Sequence, residues 1–170
     1  MAAQQEFRTQ HNARYRKVTH QTISLSSYGL QVFVNAELKE ATDRLKTVLT
    51  DSPGALLRAL RNAHSFEPFE LVLQKREQRQ ASVYDCTPQL RLHSSLLADE
   101  AAGNLAWMAL VQTVLHLPLL NLSIERLISP KRLLNASAQG EKAELDLVVE
   151  MLAQNHPIVE PLSGPSMPPQ

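Results

Sequence analysis

Residues 30–38 read LQVFVNAEL, and the fold turns on how this stretch is paired. Leu30, Val32 and Val34 alternate with Gln31 and Phe33, the period of a strand with one buried face. Asn35 then suits a helix N-cap, because its side-chain oxygen can accept from a free backbone N–H. Upstream, KVTHQTISL alternates weakly through Ile23 and Leu25. SSYG follows with a turn at Tyr28–Gly29, where glycine can supply the positive φ of a tight turn. Two pairings are open. Joined to its own upstream neighbour, LQVFV is one arm of a hairpin. Joined to the same strand of a second chain, it is a two-chain ribbon whose outer face carries Gln31 and Phe33.

Downstream, helical spacing takes over. A helix over Ala36–Thr50 places Leu38, Ala41, Leu45, Val48 and Leu49 on one face, with Lys39, Glu40, Asp43 and Lys46 mostly opposite. Asp51 and Ser52 are capping residues and Pro53 fits a first helical turn, so a second helix is expected over Pro53–Ala63 with Leu56, Leu57 and Leu60 inside. A strand is expected over Phe69–Lys75, followed by KREQR (Lys75–Arg79) as a solvated loop or strand end. A short extended piece, Val83–Leu92, is interrupted by Pro88. The longest helix is expected over Ser95–Leu117, with Leu97, Ala101, Leu105, Met108, Val111 and Leu115 at core spacing and Trp107 also in the core. LSIERLI reads as a short helix ending before Pro130, and Glu141–Asn155 as an amphipathic closing helix through Leu145, Val148, Val149 and Leu152. The segment from Pro157 to Gln170 holds five prolines and reads as extended or disordered.

These elements give an α+β, predominantly helical fold class: an N-terminal β-ribbon or hairpin, two short helices, a short strand region and long helices packed in one core. The domain reading is a flexible basic arm at 1–16, one globular domain at 17–156 and a Pro-rich tail at 157–170. Within the globular domain, 30–63 is one unit and 64–156 a helical extension. A chain of 170 residues is long enough for a real core.

The formal net charge of zero conceals a polarity. Arg8, Arg14, Arg16 and Lys17 face only Glu6 near the start, whereas Glu141, Glu144, Asp146, Glu150 and Glu160 face only Lys142 near the end. A basic start can touch an anion such as nucleic acid. Cys86 is the one cysteine, which excludes an internal disulfide and fits a reducing cytoplasm. The polar start has no apolar core of a secretory signal. LAWMALVQTVLHLPLLNL (Leu105–Leu122) is interrupted by Gln112, Thr113, His116 and Pro118, so a buried helix is expected there, not a membrane span.

Recognisable chemistry is sparse. No two histidines sit at the i, i+4 spacing of a zinc protease, there is no CxxC pair, and GxxxxGK[ST], GxGxxG and GxSxG are all absent. Cys86 lies beside Asp85, whose charge disfavours a thiolate. Asn121 and Asn135 open formal glycosylation sequons that carry no meaning inside a cell. No enzyme activity, metal or cofactor is expected.

The order of features over Leu30–Ala63 resembles the ribbon-helix-helix repressors of the Arc and MetJ type. The strand is LQVFV, Asn35 to Leu38 opens the first helix, Leu38 and Leu45 are its apolar positions, and SPGALLRAL opens the second. The resemblance implies a dimeric, sequence-specific DNA-binding transcriptional regulator of bacterial, plasmid or mobile-element kind. A paired ribbon would enter the major groove. Gln31, Phe33 and Asn35 would then contact bases. Arg14, Arg16, Lys17, Ser52, Gly54 and Arg58 would contact phosphates, in part through the second helix N-terminus. Its partners would be double-stranded DNA and a second copy, with no membrane and no small-molecule substrate. The alternative is a protein-interaction or assembly adaptor, dimerising through the apolar helix Ser95–Leu117 or using the Pro-rich tail.

Overall fold

The computed structural model describes residues 19–37, 39–80, 83–138, 140 and 143–163. Strand β1 (His20–Ser26) and strand β2 (Gly29–Ala36) form the hairpin, with Ile23 opposite Val32 and Leu25 opposite Leu30. Ser26 pairs with Gly29, so the turn itself is Ser27–Tyr28, and Gly29 takes a φ of 130°. Glycine is required here for a second reason as well. A Cβ on Gly29 would stand 2.1 Å from the carbonyl oxygen of Ile128 in the next strand.

That next strand is β5 (Leu120–Ile128), and it overturns the expected fold class. The LSIERLI segment is extended, not helical. It pairs antiparallel with β2 on one side and with β3 (Glu70–Gln80) on the other, placing Val34 and Leu71 on either side of Ile124. With β4 (Val83–His93) the result is one five-stranded antiparallel sheet in the order β1-β2-β5-β3-β4. The sheet is the organising layer of the molecule, not a small N-terminal ribbon attached to helices. LQVFV is an interior strand with both edges already bonded, so no edge is left for the same strand of a second chain.

Among the described residues, helices α1 (Lys39–Asp51), α2 (Pro53–Phe66), α3 (Ser94–Ala98), α4 (Glu100–His116), α5 (Pro130–Ser137) and α6 (Ala143–Ser163) make up the remaining regular structure. The sheet residues that pack with them all have one parity: Val32, Val34 and Ala36 on β2, Leu71 and Leu73 on β3, Leu122, Ile124 and Ile128 on β5. Each helix contributes side chains to this face. Leu45, Leu49, Leu60, Leu97 and Leu110 are at most 1% exposed, and burying a leucine in this way contributes roughly 1.5–3 kcal/mol.

Other boundaries also differ from expectation. Asn35 lies inside β2 and does not cap a helix; α1 begins at Lys39. The charged KREQR run continues β3 as strand, and β4 passes through Pro88 with a register shift opposite Leu73/Gln74. Pro88 is tolerated because β4 is an edge strand with one side unpaired. The long apolar helix breaks at Asp99, whose Oδ1 accepts from the Ala102 N–H at 2.7 Å and starts α4 afresh. The closing helix runs on to Ser163 through Pro157 and Pro161, and it seats Ile158 and Leu162 in the core. None of the helices among the described residues is long and apolar enough to cross a membrane.

Candidate interaction surface

Helix α4 is apolar on two opposite sides. Its inner seam, Gly103, Trp107, Leu110 and Val114, is buried. Its outer seam steps by four and three residues through Ala101, Leu105, Met108, Gln112 and Leu115, all exposed. Leu105 is 72% exposed, Met108 58% and Leu115 39%. Spacing had assigned Ala101, Leu105, Met108 and Leu115 to the core, whereas they are the solvent face. Trp107 lies inside as expected. No charged residue occurs from Ala101 to Leu115.

The helix is pinned at both ends, so the seam is held in place. At its start, Asp99 caps the first turn, and Arg61 of α2 donates from Nε to Leu97 O at 2.7 Å and from Nη2 to Asn104 Oδ1 at 3.1 Å. Gly103 permits a close approach to α3, since a Cβ there would stand 2.6 Å from Leu97 O. At the other end, Lys46 of α1 donates to Leu117 O.

The other expected site residues are dispersed. Gln31, Phe33 and Asn35 share the sheet face that points away from the helices, and each is half-buried. Ser52, Gly54 and Arg58 open α2 in the helical layer, so the core lies between the two groups. Ser52 makes no side-chain cap bond; it lines a cleft of about 630 Å³ with residues of α1 and with Pro157 and Pro161 of α6. Arg14, Arg16 and Lys17 lie outside the described residues.

Cys86 is exposed on edge strand β4, opposite Arg76. His93 is seven residues further along the same strand, roughly 23 Å away at the rise of extended chain. Its ring nitrogen Nδ1 meets Ser95 Oγ at 2.7 Å. A serine–histidine contact does occur at Ser94 and His64, 2.8 Å apart. Ser94 is fully buried, however, and its Oγ already accepts from the Phe69 N–H at 2.9 Å. That hydroxyl ties α2 and α3 to Phe69, the residue just before β3. No group of three or more His, Cys, Asp or Glu able to hold a metal occurs among the described residues.

Arg126 was not singled out by sequence. It points from β5 into the helical layer, is 1% exposed, donates from Nη2 to Ala63 O at 3.3 Å and lies 5.4 Å over the Phe69 ring. Burial lowers its pKa to about 10, with the charge of Glu67 acting in the opposite direction. Its Nε and Nη1 are buried without a hydrogen-bond partner. A cation under the last turn of α2 opposes the partial negative charge of that helix end, which makes its role structural.

No protein-family model, curated protein or solved structure matches the chain.

Proposed function

We propose that this protein is a protein-interaction module of the adaptor kind, which docks an apolar helix along the outer seam of α4. The observation behind this reading is the uncharged, exposed 4-3-4-3 row through Ala101, Leu105, Met108, Gln112 and Leu115 on a helix fixed at both ends. A row at that spacing forms a narrow stripe along one side of a helix, the pattern by which two helices pack side chains into each other's gaps. Covering Leu105 or Met108 on a partner would contribute on the order of 1–2 kcal/mol each.

The test is a photo-crosslinking residue at Met108 in the full chain, with the same group at exposed Lys131 as control, activated inside the cell. A discrete protein adduct at Met108, lost on Leu105→Glu while the protein stays folded, supports the proposal. No adduct, or one indifferent to Leu105→Glu, refutes it.

A further inference from the structure

We infer that strand β1 is a docking edge for a second copy of this chain, which pairs its own β1 antiparallel across a two-fold axis at Ile23. The surface is separate from the α4 seam and does not depend on it. The sheet has two edges, β1 and β4, and they are built differently. β4 carries the features that keep an edge from pairing: Pro88 in mid-strand, a register shift beside it, and the charges of Asp85 and Arg91. β1 carries none of them. HQTISLS holds no proline and no Asp, Glu, Lys or Arg, and its register against β2 is unbroken from His20 to Ser26. Its outer backbone N–H and C=O groups meet no strand among the described residues, and such a row is a template for a further strand.

The helical layer is open at the same place. Ile23 lies on the helical face, opposite fully buried Val32, yet it is 46% exposed. α6 runs beside β1 in the opposite direction: Ser163 Oγ donates to Thr19 O at 3.2 Å, and Gln21 Nε2 donates to Leu152 O at 3.2 Å. Two more strand residues, at about 3.3 Å each against about 1.5 Å per helical residue, bring Val148 and Val149 beside Ile23. Leu145 and Val149 are exposed, and with Leu152 they form a row stepping by four and three. Leu145 and Ser163 stand nearly in line with Leu152 along the helix, so this row is on the β1 side. Asp146 and Glu150 each follow a row residue by one position, about 100° around the helix, and lie outside it.

A second copy fits both layers at once. Antiparallel pairing sets Ile23 against its own equivalent and Thr22 against Ser24, and it turns the helices of both copies to one face of a continuous sheet. α6 lies over β1 and β2, bonded to Gln21 of the first and packing Met151 with Val32 of the second. With strands about 4.8 Å apart, joining two β1 edges sets the two α6 helices roughly 10 Å apart, a distance at which helices pack. Val149 then meets Val149, and Leu145 meets Leu152. A lone foreign strand would satisfy the backbone and leave the helix row uncovered. The strand is about 23 Å long and the two layers are roughly 20 Å deep. That is about 500 Å² per partner, the lower bound for a specific interface, so the dimer is reversible with a dissociation constant on the order of 10 µM.

Sedimentation equilibrium of the full chain, followed by disulfide trapping in a Cys86→Ser background, tests this. The expected result is a monomer–dimer equilibrium that Ile23→Lys and Val149→Glu each weaken at least tenfold, with circular dichroism matching the parent. Ile23→Cys should cross-link to itself under mild oxidation, because opposed residues of an antiparallel pair have Cα atoms about 4.5–5.5 Å apart. Thr22→Cys and Ser24→Cys should cross-link with each other when mixed, and neither should do so alone. A photo-crosslinking group at residue 23 inside the cell should give an adduct of twice the chain's mass. A chain that stays monomeric well above about 100 µM overturns the inference, as does a dimer indifferent to Ile23→Lys. A cellular adduct of any other mass gives the edge to a different protein and overturns the second copy.

Discussion

Arg126→Met takes the charge out of the core while keeping a side chain of similar reach. Burial lowers the guanidinium pKa from its ordinary value to about 10, a displacement worth roughly 3 kcal/mol against the charged native state at neutral pH. Part of that is offset by contacts the methionine cannot make. The bond to Ala63 O is long at 3.3 Å and contributes about 1 kcal/mol. The approach to the Phe69 ring contributes about as much again. Ala63 O is not orphaned by the change, because it also accepts from the Glu67 N–H at 3.2 Å. Glu67 keeps its ion pair with Arg132. The Met variant should therefore be as stable as the parent or more stable by up to about 2 kcal/mol, as expected when a poorly compensated buried charge gives way to an apolar side chain.

Urea denaturation midpoints of the two proteins, compared at equal m-value, measure the difference. Its pH dependence has a definite sign. Above pH 10 the native parent begins to shed the Arg126 proton while the unfolded chain retains it, so the parent gains stability as pH rises from there toward the ordinary guanidinium range. The advantage of the Met variant is thus full below pH 10 and shrinks above it. Arg126→Ala, which leaves a void as well, should lose about 2–4 kcal/mol. A Met variant less stable than the parent by more than about 1 kcal/mol would refute this account of Arg126 as a net cost.

Gly29→Ala should destabilise by about 3 kcal/mol or more, since the new Cβ meets the Ile128 carbonyl at 2.1 Å and φ is 130°; equilibrium unfolding checks this, and a loss under about 1 kcal/mol would contradict the β2–β5 pairing. Truncation after His156 should cost about 4 kcal/mol or more, because Ile158 and Leu162 leave the core; an unchanged melting temperature would show that the last turns of α6 are dispensable. Leu105→Glu and Met108→Glu should leave thermal stability within about 0.5 kcal/mol of the parent, and a large loss would place those side chains inside.

Much of the local structure was legible from the chain. Alternation and Gly29 marked the strand and its turn but left hairpin and two-chain ribbon both open, whereas α1 and α2 followed from the spacing of Ala41, Leu45 and Leu49 and of Leu56, Leu57 and Leu60. The central strand was not, for a physical reason. Leu120, Leu122 and Ile124 alternate with Asn121, Ser123 and Glu125 as a strand should. Arg126 then breaks the pattern by placing a charge on the inward face, and Ile124, Leu127 and Ile128 fall at helical spacing. The ambiguity is resolved only by tertiary contacts, namely Phe69 and Ala63 around the guanidinium. KREQR looked like a loop because charge favours water. Yet Arg76 in that run is 8% exposed and donates to Glu37 O, just past the end of β2, so a buried charge is held at the end of the sheet.

Helix α4 shows why spacing found the candidate surface and still assigned it to the wrong side. Where a helix has only one face to bury, its outer face gathers charge. α1 does this, with Lys39, Glu40 and Asp43 outside and Ala41, Leu45 and Leu49 inside. α4 places Trp107, Leu110 and Val114 in the core and still presents Leu105, Met108 and Leu115 to solvent, so periodicity alone cannot choose between the two seams. A helix apolar on both sides calls for two neighbours. The sheet core is one. Asp99, Arg61 and Lys46 hold the helix so that the second seam faces solvent, which is the opening that the proposed helix docking would use.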